Sequence, residues 1–362
     1  MKVALVHDYL TQPGGAERVF ELLCRRYPEA DIYTSIYDAE KTVDFGDRHI
    51  NTTWLQHIPG AKRHFRLLAP LYFPVFRSLD LRDYDLIISS TTSFAKAVRK
   101  RDDAKHICFC HNVTRFLWDT QTYLREFSGL RPFVPAFRML LNQMRQLDLQ
   151  SAQQPDLYIA NSTTVAERIR RVYGKEAIVI NYPIDDQRFE FSQNKDQYFL
   201  ASARLLSYKR IDVIIEAFNW LGWTLYITGN GPERERLEKQ AMPNVKFLGH
   251  VSDLERRRLM ANAKAVIVAA LEDYGLVPVE ANASGTPVIA YGAGGVLDTQ
   301  VHGQTGLLFD RQSPEALLSV LKEFGDRSWN HQEIREHALS KFSQAAFFNQ
   351  VEQVFDRYLA TA

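Results

Sequence analysis

Val268-Ala-Ala-Leu-Glu-Asp-Tyr-Gly-Leu-Val-Pro-Val-Glu-Ala-Asn-Ala-Ser-Gly-Thr-Pro-Val-Ile-Ala-Tyr-Gly-Ala-Gly-Gly295 is the stretch whose reading decides the fold. It opens as a buried strand and turns at Tyr274-Gly275. A short helix follows, broken at Gly285-Thr286-Pro287. Another apolar strand then runs into Gly292-Ala293-Gly294-Gly295. Glu272 stands at the exit of the first strand and Glu280 on the helix. Strand, turn, helix, strand is the unit of an open α/β sheet, which binds ligands at the carboxyl ends of its strands.

Outward from that stretch the same unit repeats. Tyr198 to Ser202, Thr224 to Thr228, Val245 to Gly249 and Ala265 to Ala269 read as strands, and Ile211 to Phe218 as a helix. Ser252 with Glu255 forms a capping box, and Ser313-Pro-Glu starts a further helix. An earlier series reads Val3 to Val6, Asp31 to Ile36, Asp85 to Ser90, Lys105 to Cys110, Asp156 to Ala160 and Ala177 to Ile180. Thr164 with Glu167 is the capping box expected for the helix between the last two. Strands alternating with helices predict parallel sheets. The chain has 362 residues, too many for one α/β core, so two domains are expected. The polar stretch Gln187 to Lys195 reads as the linker.

Composition narrows the classes. Apolar residues make up 46% and charged residues 24%, and net charge is +1, so no overall charge calls for nucleic acid. Cys24, Cys108 and Cys110 are too few for a disulfide framework, and Cys108 and Cys110 should share one face of a strand. Met1 to His7 is too short for a signal peptide, and no apolar run reaches the ~20 residues of a membrane span. A cytoplasmic protein is expected. Thr52 to Leu79 contains no acidic residue and mixes Lys62, Arg63, Arg66 and Arg77 with aromatic and aliphatic side chains. Arg115 to Gln154 is also rich in aromatic and basic residues. Both suit helices packed on the first domain or a face for an anionic membrane.

The chemistry gathers at the strand exits. A helix entered through Gly275-Leu276 offers free N–H groups for a phosphate, and Pro278 fits its first turn. Glu280 could accept bonds from ribose hydroxyls and Glu272 from those of another ring. Arg204 and Lys209 would project at the same edge and could neutralise a diphosphate. Gly14-Gly15 lets backbone approach a ligand at the edge of the first domain, where His111 also exits a strand. Asp83-Tyr-Asp85 has the short Asp-x-Asp pattern of metal-dependent sugar transferases, but it lies at the amino edge. No metal site and no cofactor are expected.

Taken together, these residues resemble a known family. Pro13-Gly-Gly-Ala-Glu-Arg18, Cys110-His-Asn-Val-Thr-Arg115, Ala203-Arg-Leu-Leu206 with Lys209, Thr228-Gly-Asn-Gly-Pro232, Gly249-His-Val251, Glu272-x7-Glu280 and Gly303-Gln-Thr-Gly306 occur in the order found in retaining group 1 glycosyltransferases of GT-B fold. The resemblance covers essentially the whole chain. It implies two Rossmann-like domains, 1–185 and 186–342, facing across a cleft, with 343–362 as a helix returning to the first domain. It implies that Arg204 and Lys209 hold the donor diphosphate, that Glu280 binds ribose, and that Glu272 contacts the donor sugar. Backbone at Gly275, Leu276 and Val277 would hold phosphate and sugar oxygens, and backbone near His250-Val251 the base. His111 would lie beside the transferred sugar and Gly14-Gly15 near the diphosphate. Asn181-Tyr-Pro-Ile-Asp185 departs from the Asn-Gly that many members carry before the Asp. That variant resembles the branch that assembles polysaccharide and O-antigen chains, often from GDP-mannose. The expected partners are therefore a nucleotide-sugar donor and a saccharide or lipid-linked acceptor. A UDP-sugar glucosyl- or N-acetylglucosaminyltransferase, a sugar-nucleotide epimerase or phosphorylase, and a non-catalytic scaffold are the alternatives. A nicotinamide-dependent enzyme would need a fuller glycine fingerprint than Gly292 to Gly295 provides.

Overall fold

The computed structural model describes residues 1–119 and 134–360. The chain divides into two compact units, Met1–Ile180 and Asn181–Ala362. The first unit holds strands β1 (Val3–His7), β2 (Asp31–Thr34), β3 (Ile50–Thr52), β4 (Leu86–Thr91), β5 (Lys105–Cys110), β6 (Leu157–Ala160) and β7 (Ala177–Val179). All pair in parallel, in the order β3-β2-β1-β4-β5-β6-β7. The second unit holds β8 (Phe199–Ser202), β9 (Leu225–Thr228), β10 (Val245–Gly249), β11 (Val266–Val268), β12 (Val288–Tyr291) and β13 (Gly306–Phe309). These too are parallel, in the order β10-β9-β8-β11-β12-β13.

Why the apolar runs became inner strands is visible in the second sheet. Phe199, Ala201, Leu225, Ile227, Ile267, Ile289 and Leu307 fill one core. Their strand neighbours Leu200, Val266, Val268, Val288 and Ala290 fill another. Successive side chains point to opposite faces, so a strand covered on both sides must be apolar throughout. In the first sheet, Cys108 and Cys110 lie in one buried cluster with Tyr158 and Ala160, so the two thiols share a face as expected.

Three local readings needed correction. β3 was not anticipated, because Ile50-Asn-Thr52 is too short to show a period. The helix expected from Thr164 starts earlier, at Thr163–Tyr173, and its cap is Ser162, whose hydroxyl accepts from the Val165 N–H at 3.2 Å. Strand β2 ends at Thr34, two residues before the expected Ile36. Ser252 and Ser313 do cap their helices. The polar stretch 187–195 packs within the second unit, where Phe189 O accepts from Arg335 and Lys195 Nζ donates to Ala261 O. The last helix, Gln344–Ala360, also falls in the second unit. Among the described residues no helix is long and apolar enough to cross a membrane.

Candidate functional site

In the second sheet the strand order reverses between β8 and β11. Loops leaving two such neighbours diverge to opposite sides and open a crevice at their carboxyl ends. The β8 loop carries Arg204 and Lys209, and the β11 loop carries Glu272. Lys209 ends a single 3-10 turn, Ser207–Lys209, and its Nζ lies 2.5 Å from Glu272 Oε1. Arg204 is exposed, and its guanidinium has no ion-pair partner among the described residues. Arg210, next in line, has φ 51°, the one positive φ outside glycine among the described residues. Left-handed backbone costs a residue with a Cβ roughly 1–2 kcal/mol, a strain that concentrates at functional turns.

Two glycine turns brace these loops. A methyl group on Gly229 would sit 2.0 Å from Ala203 O, and one on Gly231 would sit 2.2 Å from Leu205 O. Only glycines allow the 229–231 turn to lie against the strand exit that carries Arg204. Likewise a methyl on Gly294 would meet Glu272 O at 2.3 Å, and one on Gly295 would meet Asp273 O at 2.4 Å. The Gly295 N–H donates to Glu272 O at 2.8 Å. The run Gly292 to Gly295 therefore serves as a seat for the Glu272 turn.

Gly275 caps the Leu276–Ala283 helix with φ 88° and ψ 78°. The N–H groups of Gly275, Leu276 and Val277 precede any intrahelical acceptor, and Pro278 has none to satisfy. Glu280, one turn on, is buried, and its Oε2 accepts from Arg256 Nη1 at 2.7 Å. Arg256 Nη2 also donates to Asp253 Oδ1 at 3.0 Å. Burial disfavours the Arg256 cation, but Glu280 and Asp253 outweigh it and raise its pKa. Sequence reading missed Arg256, although the Ser252 capping box put it one turn inside a helix. Val251 is half-buried between β10 and that cap, with its backbone at the sheet's carboxyl edge.

The first unit has its own cluster at the carboxyl ends of β1, β4 and β5. His111 Nε2 is 2.7 Å from Ser90 Oγ, which is 3.0 Å from His7 Nδ1. Burial pushes His111 down to about 3, and burial also lowers His7, so both rings are neutral at pH 7. Asp8 closes the strand-order reversal between β1 and β4. Its carboxylate accepts from the backbone N–H groups of Thr92, Ser93, Phe94 and Ala95 and from the Thr91 and Thr92 hydroxyls. Burial alone would raise its pKa, but His7 and these bonds together hold it below the usual value. Gly14 and Gly15 begin the Gly15–Arg26 helix, and a methyl on Gly14 would lie 2.3 Å from Glu17 Oε2. A buried carboxylate thus fills the space beside the glycine turn.

The segment after His111 is fixed from below. Lys96 Nζ and Asp148 Oδ1 form a fully buried pair at 2.7 Å. Asp148 also accepts from Thr114 Oγ1 at 2.8 Å, Trp118 Nε1 at 2.7 Å and Tyr173 OH at 3.1 Å. Burial works against the Lys96 cation, and Asp148 outweighs it. Neither residue stood out in the sequence, since each lies in a segment without a motif. Asp85 is bound by the Lys2 N–H at 2.7 Å and paired with Arg101 at the amino edge of β4, away from these clusters. Among the described residues no three metal-ligating side chains gather.

Comparison with known proteins adds the family context. Residues 183–340 match the family described as Glycosyl transferases group 1, and residues 13–188 match Glycosyltransferase Family 4. The D-rhamnosyltransferase WbpZ of Pseudomonas aeruginosa is 24% identical over 242 residues, which are 62% of this chain and 62% of that one. The chain thus spans about three fifths of that curated relative's length. Sucrose-phosphate synthase of Thermosynechococcus elongatus superposes with TM-score 0.75 at 18% identity over 100% of both chains. Anabaena HepE, solved with UDP and glucose, superposes with TM-score 0.70 at 20% identity over 99% of this chain and 100% of that one. At these identities the likeness is one of fold, two Rossmann-like units of the GT-B class.

Proposed function

We propose that this chain is a group 1 glycosyltransferase, as the match over residues 183–340 supports, and that it moves a hexosyl unit from a nucleoside diphosphate to an acceptor hydroxyl with retention, without a metal ion. The observation that carries the reading is the set of charges at the β8–β11 reversal. Arg204 has no counter-ion among the described residues, Lys209 pairs with Glu272, and a helix turns its free N–H groups to the same edge of the sheet. This is the equipment for a leaving diphosphate, because fixed positive potential acts where charge develops.

The steps follow from those groups. The bond from the anomeric carbon to the β-phosphate oxygen breaks, and its electrons go to the phosphate. The acceptor oxygen bonds to the same face of that carbon, and its proton passes to the leaving phosphate. Arg204, Lys209 and the helix N-terminus stabilise the phosphate charge. Glu280, held in place by Arg256, accepts the ribose hydroxyls, and backbone near Val251 receives the base. Glu272 accepts from hexose hydroxyls. Within the first unit, His111 is neutral and suited to hydrogen bonding with a hydroxyl group, and Glu17 beside Gly14 can accept from one. No covalent carboxylate nucleophile is invoked, since Glu272 is engaged by Lys209.

Mannose from GDP-mannose is the donor we favour. A rhamnosyl group is a 6-deoxymannosyl group, so the D-rhamnosyltransferase relative supports a manno-configured hexose. A UDP-hexose is the second reading, favoured by the UDP-bound HepE neighbour. The acceptor is a growing saccharide or a lipid-linked one, in polysaccharide or glycolipid assembly. Thermal stabilisation against GDP-, UDP- and ADP-sugars tests the reading, because affinity converts into a melting shift. We expect one GDP- or UDP-sugar to stabilise the protein, Arg204→Ala to abolish the shift, and turnover to survive a chelator. No shift with any nucleotide sugar, or strict Mg²⁺ dependence, would overturn it.

A further inference from the structure

Residues 50–79 contain four Lys or Arg and no Asp or Glu. They fold as short helical pieces, Trp54–His57, Ala61–His64, Phe65–Leu68 and Ala69–Ser78. One side of these pieces is ordinary core: Leu55, Phe65, Tyr72, Phe73, Val75 and Phe76 are buried together. The other side is unusual for a water-facing surface. Leu67 is 74% exposed, Trp54 53% and Leu71 37%. Lys62, Arg63 and Arg66 are exposed among them and form no ion pair with any described residue. A groove of about 300 Å³ continues this side towards the Val134–Ser151 helix, lined largely by Pro70, Pro74, Leu140, Met144 and Leu147. Met139 on that helix is also well exposed.

Scattered exposed leucines need no explanation, and a solvated basic face is common. The combination here is more specific. Cations without a counter-ion among the described residues flank exposed aliphatic and indole side chains, and no carboxylate interrupts them over thirty residues of chain. That pattern matches the headgroup and acyl boundary of an anionic bilayer, where each basic residue gains about 1 kcal/mol.

The face is also tied to the candidate site of its own unit. Arg66 Nη2 donates to Gln12 Oε1 at 3.1 Å, and Gln12 Nε2 donates to Glu17 Oε1 at 3.3 Å. Tyr9 packs on Phe65 with ring centroids 4.6 Å apart. Gln12 and Tyr9 belong to the loop that leaves β1 and leads to Gly14. The basic face therefore borders the carboxyl edge of the first sheet, where His111 emerges.

We propose that the exposed face formed by Trp54, Lys62, Arg63, Arg66, Leu67 and Leu71 docks this chain on an anionic lipid bilayer. Docking would bring the headgroup layer to the edge holding Gly14 and His111, and so present a lipid-carried acceptor. The docking stands on the surface alone, whereas the acceptor clause rests on the transferase reading.

Flotation of the full chain with vesicles tests it. One set is phosphatidylcholine alone, and the other contains phosphatidylglycerol as well. We expect recovery with the anionic set at low salt and loss of that recovery as salt rises. Lys62→Gln with Arg63→Gln should lower the partition coefficient ~30-fold, from about 1 kcal/mol for each lysine or arginine. Leu67→Ser with Leu71→Ser should weaken binding to the same vesicles while leaving the melting temperature and the nucleotide-sugar shift unchanged. Equal recovery with both vesicle sets, no recovery at low salt, or indifference to all four substitutions would overturn the proposal. The nucleotide-sugar shift is read on the same protein, so failure of docking and failure of the transferase reading are separable.

Discussion

Glu280→Gln is the substitution that most directly questions the donor site. The carboxylate is 8% exposed on its side chain, and Oε2 is committed to Arg256 at 2.7 Å. Oε1 accepts no bond from any described residue, so in the proposed donor site it is the oxygen that would accept from ribose hydroxyls. Gln keeps the shape and removes the charge. A hydrogen bond to a charged group contributes roughly 1.5–3 kcal/mol, which is a ~10–150-fold change in Kd. Isothermal calorimetry with a nucleoside diphosphate should show that loss. The same nucleotide lacking both ribose hydroxyls should bind the wild type and Glu280→Gln alike. If Glu280→Gln loses as much affinity for the dideoxy nucleotide, the carboxylate does not act on ribose. If neither nucleotide notices the change, Glu280 is outside the donor site. Arg256→Met provides the companion measurement. It leaves a buried carboxylate without its cation, which costs roughly 3–5 kcal/mol of stability. Adding Glu280→Gln to Arg256→Met should return part of that stability, because the stranded charge is gone.

Two further outcomes follow from the fold. Gly294→Ala places a methyl 2.3 Å from Glu272 O at φ 70°, so urea unfolding should show a loss of about 2–5 kcal/mol from backbone strain plus the clash. Gly46→Ala, with φ 60° and open space around it, should lose only the ~1–2 kcal/mol of backbone strain, and equal losses would refute the brace. Burial holds both His106 and His111 at about 3, so the unfolded chain takes up their protons first as pH falls below 6.5. Stability from these two rings is therefore complete above pH 6.5 and falls towards pH 3, by about 1.4 kcal/mol per pH unit for each ring. His106→Gln should reduce that slope by about one ring's share in urea unfolding between pH 7 and 5, and an unchanged slope would refute the burial argument.

How much of this was legible in the sequence depended on the kind of signal. Inner strands were legible because a parallel strand buried on both faces must be apolar throughout, as Leu86 to Ile88 and Val266 to Val268 are. Helix starts were legible where a single hydroxyl preceded the apolar period, as at Ser252 and Ser313. At Ser162-Thr163-Thr164 three hydroxyls competed, and the period Val165, Ile169, Tyr173 could not say which one capped. The extended backbone of Ser162, φ −156° and ψ 160°, settled it. Pairings between distant segments left no trace: Arg256 with Glu280 and Lys96 with Asp148 are ordinary residues until the fold brings them together.

The glycines show the same limit from the other side. Read along the chain, Gly292 to Gly295 invites comparison with a cofactor fingerprint, and Gly229 to Gly231 is merely a turn. In space each run lies where a second loop passes within contact of its backbone. The loops they brace carry Arg204 and Glu272, which sit outside any long helix or strand, and a single parallel bridge from Glu272 to Gly294 is the strand-like pairing there. Rigidity there has to come from close backbone packing, and only residues without a Cβ permit it. Lys209 and Glu272 complete the arrangement. Each is about four-fifths covered, and a covered charge without a partner is costly, so their 2.5 Å pairing lets each compensate the other. The loops thus hold these charges in fixed positions, which is the condition under which electrostatic stabilisation of the proposed diphosphate leaving group requires no reorganisation during the reaction.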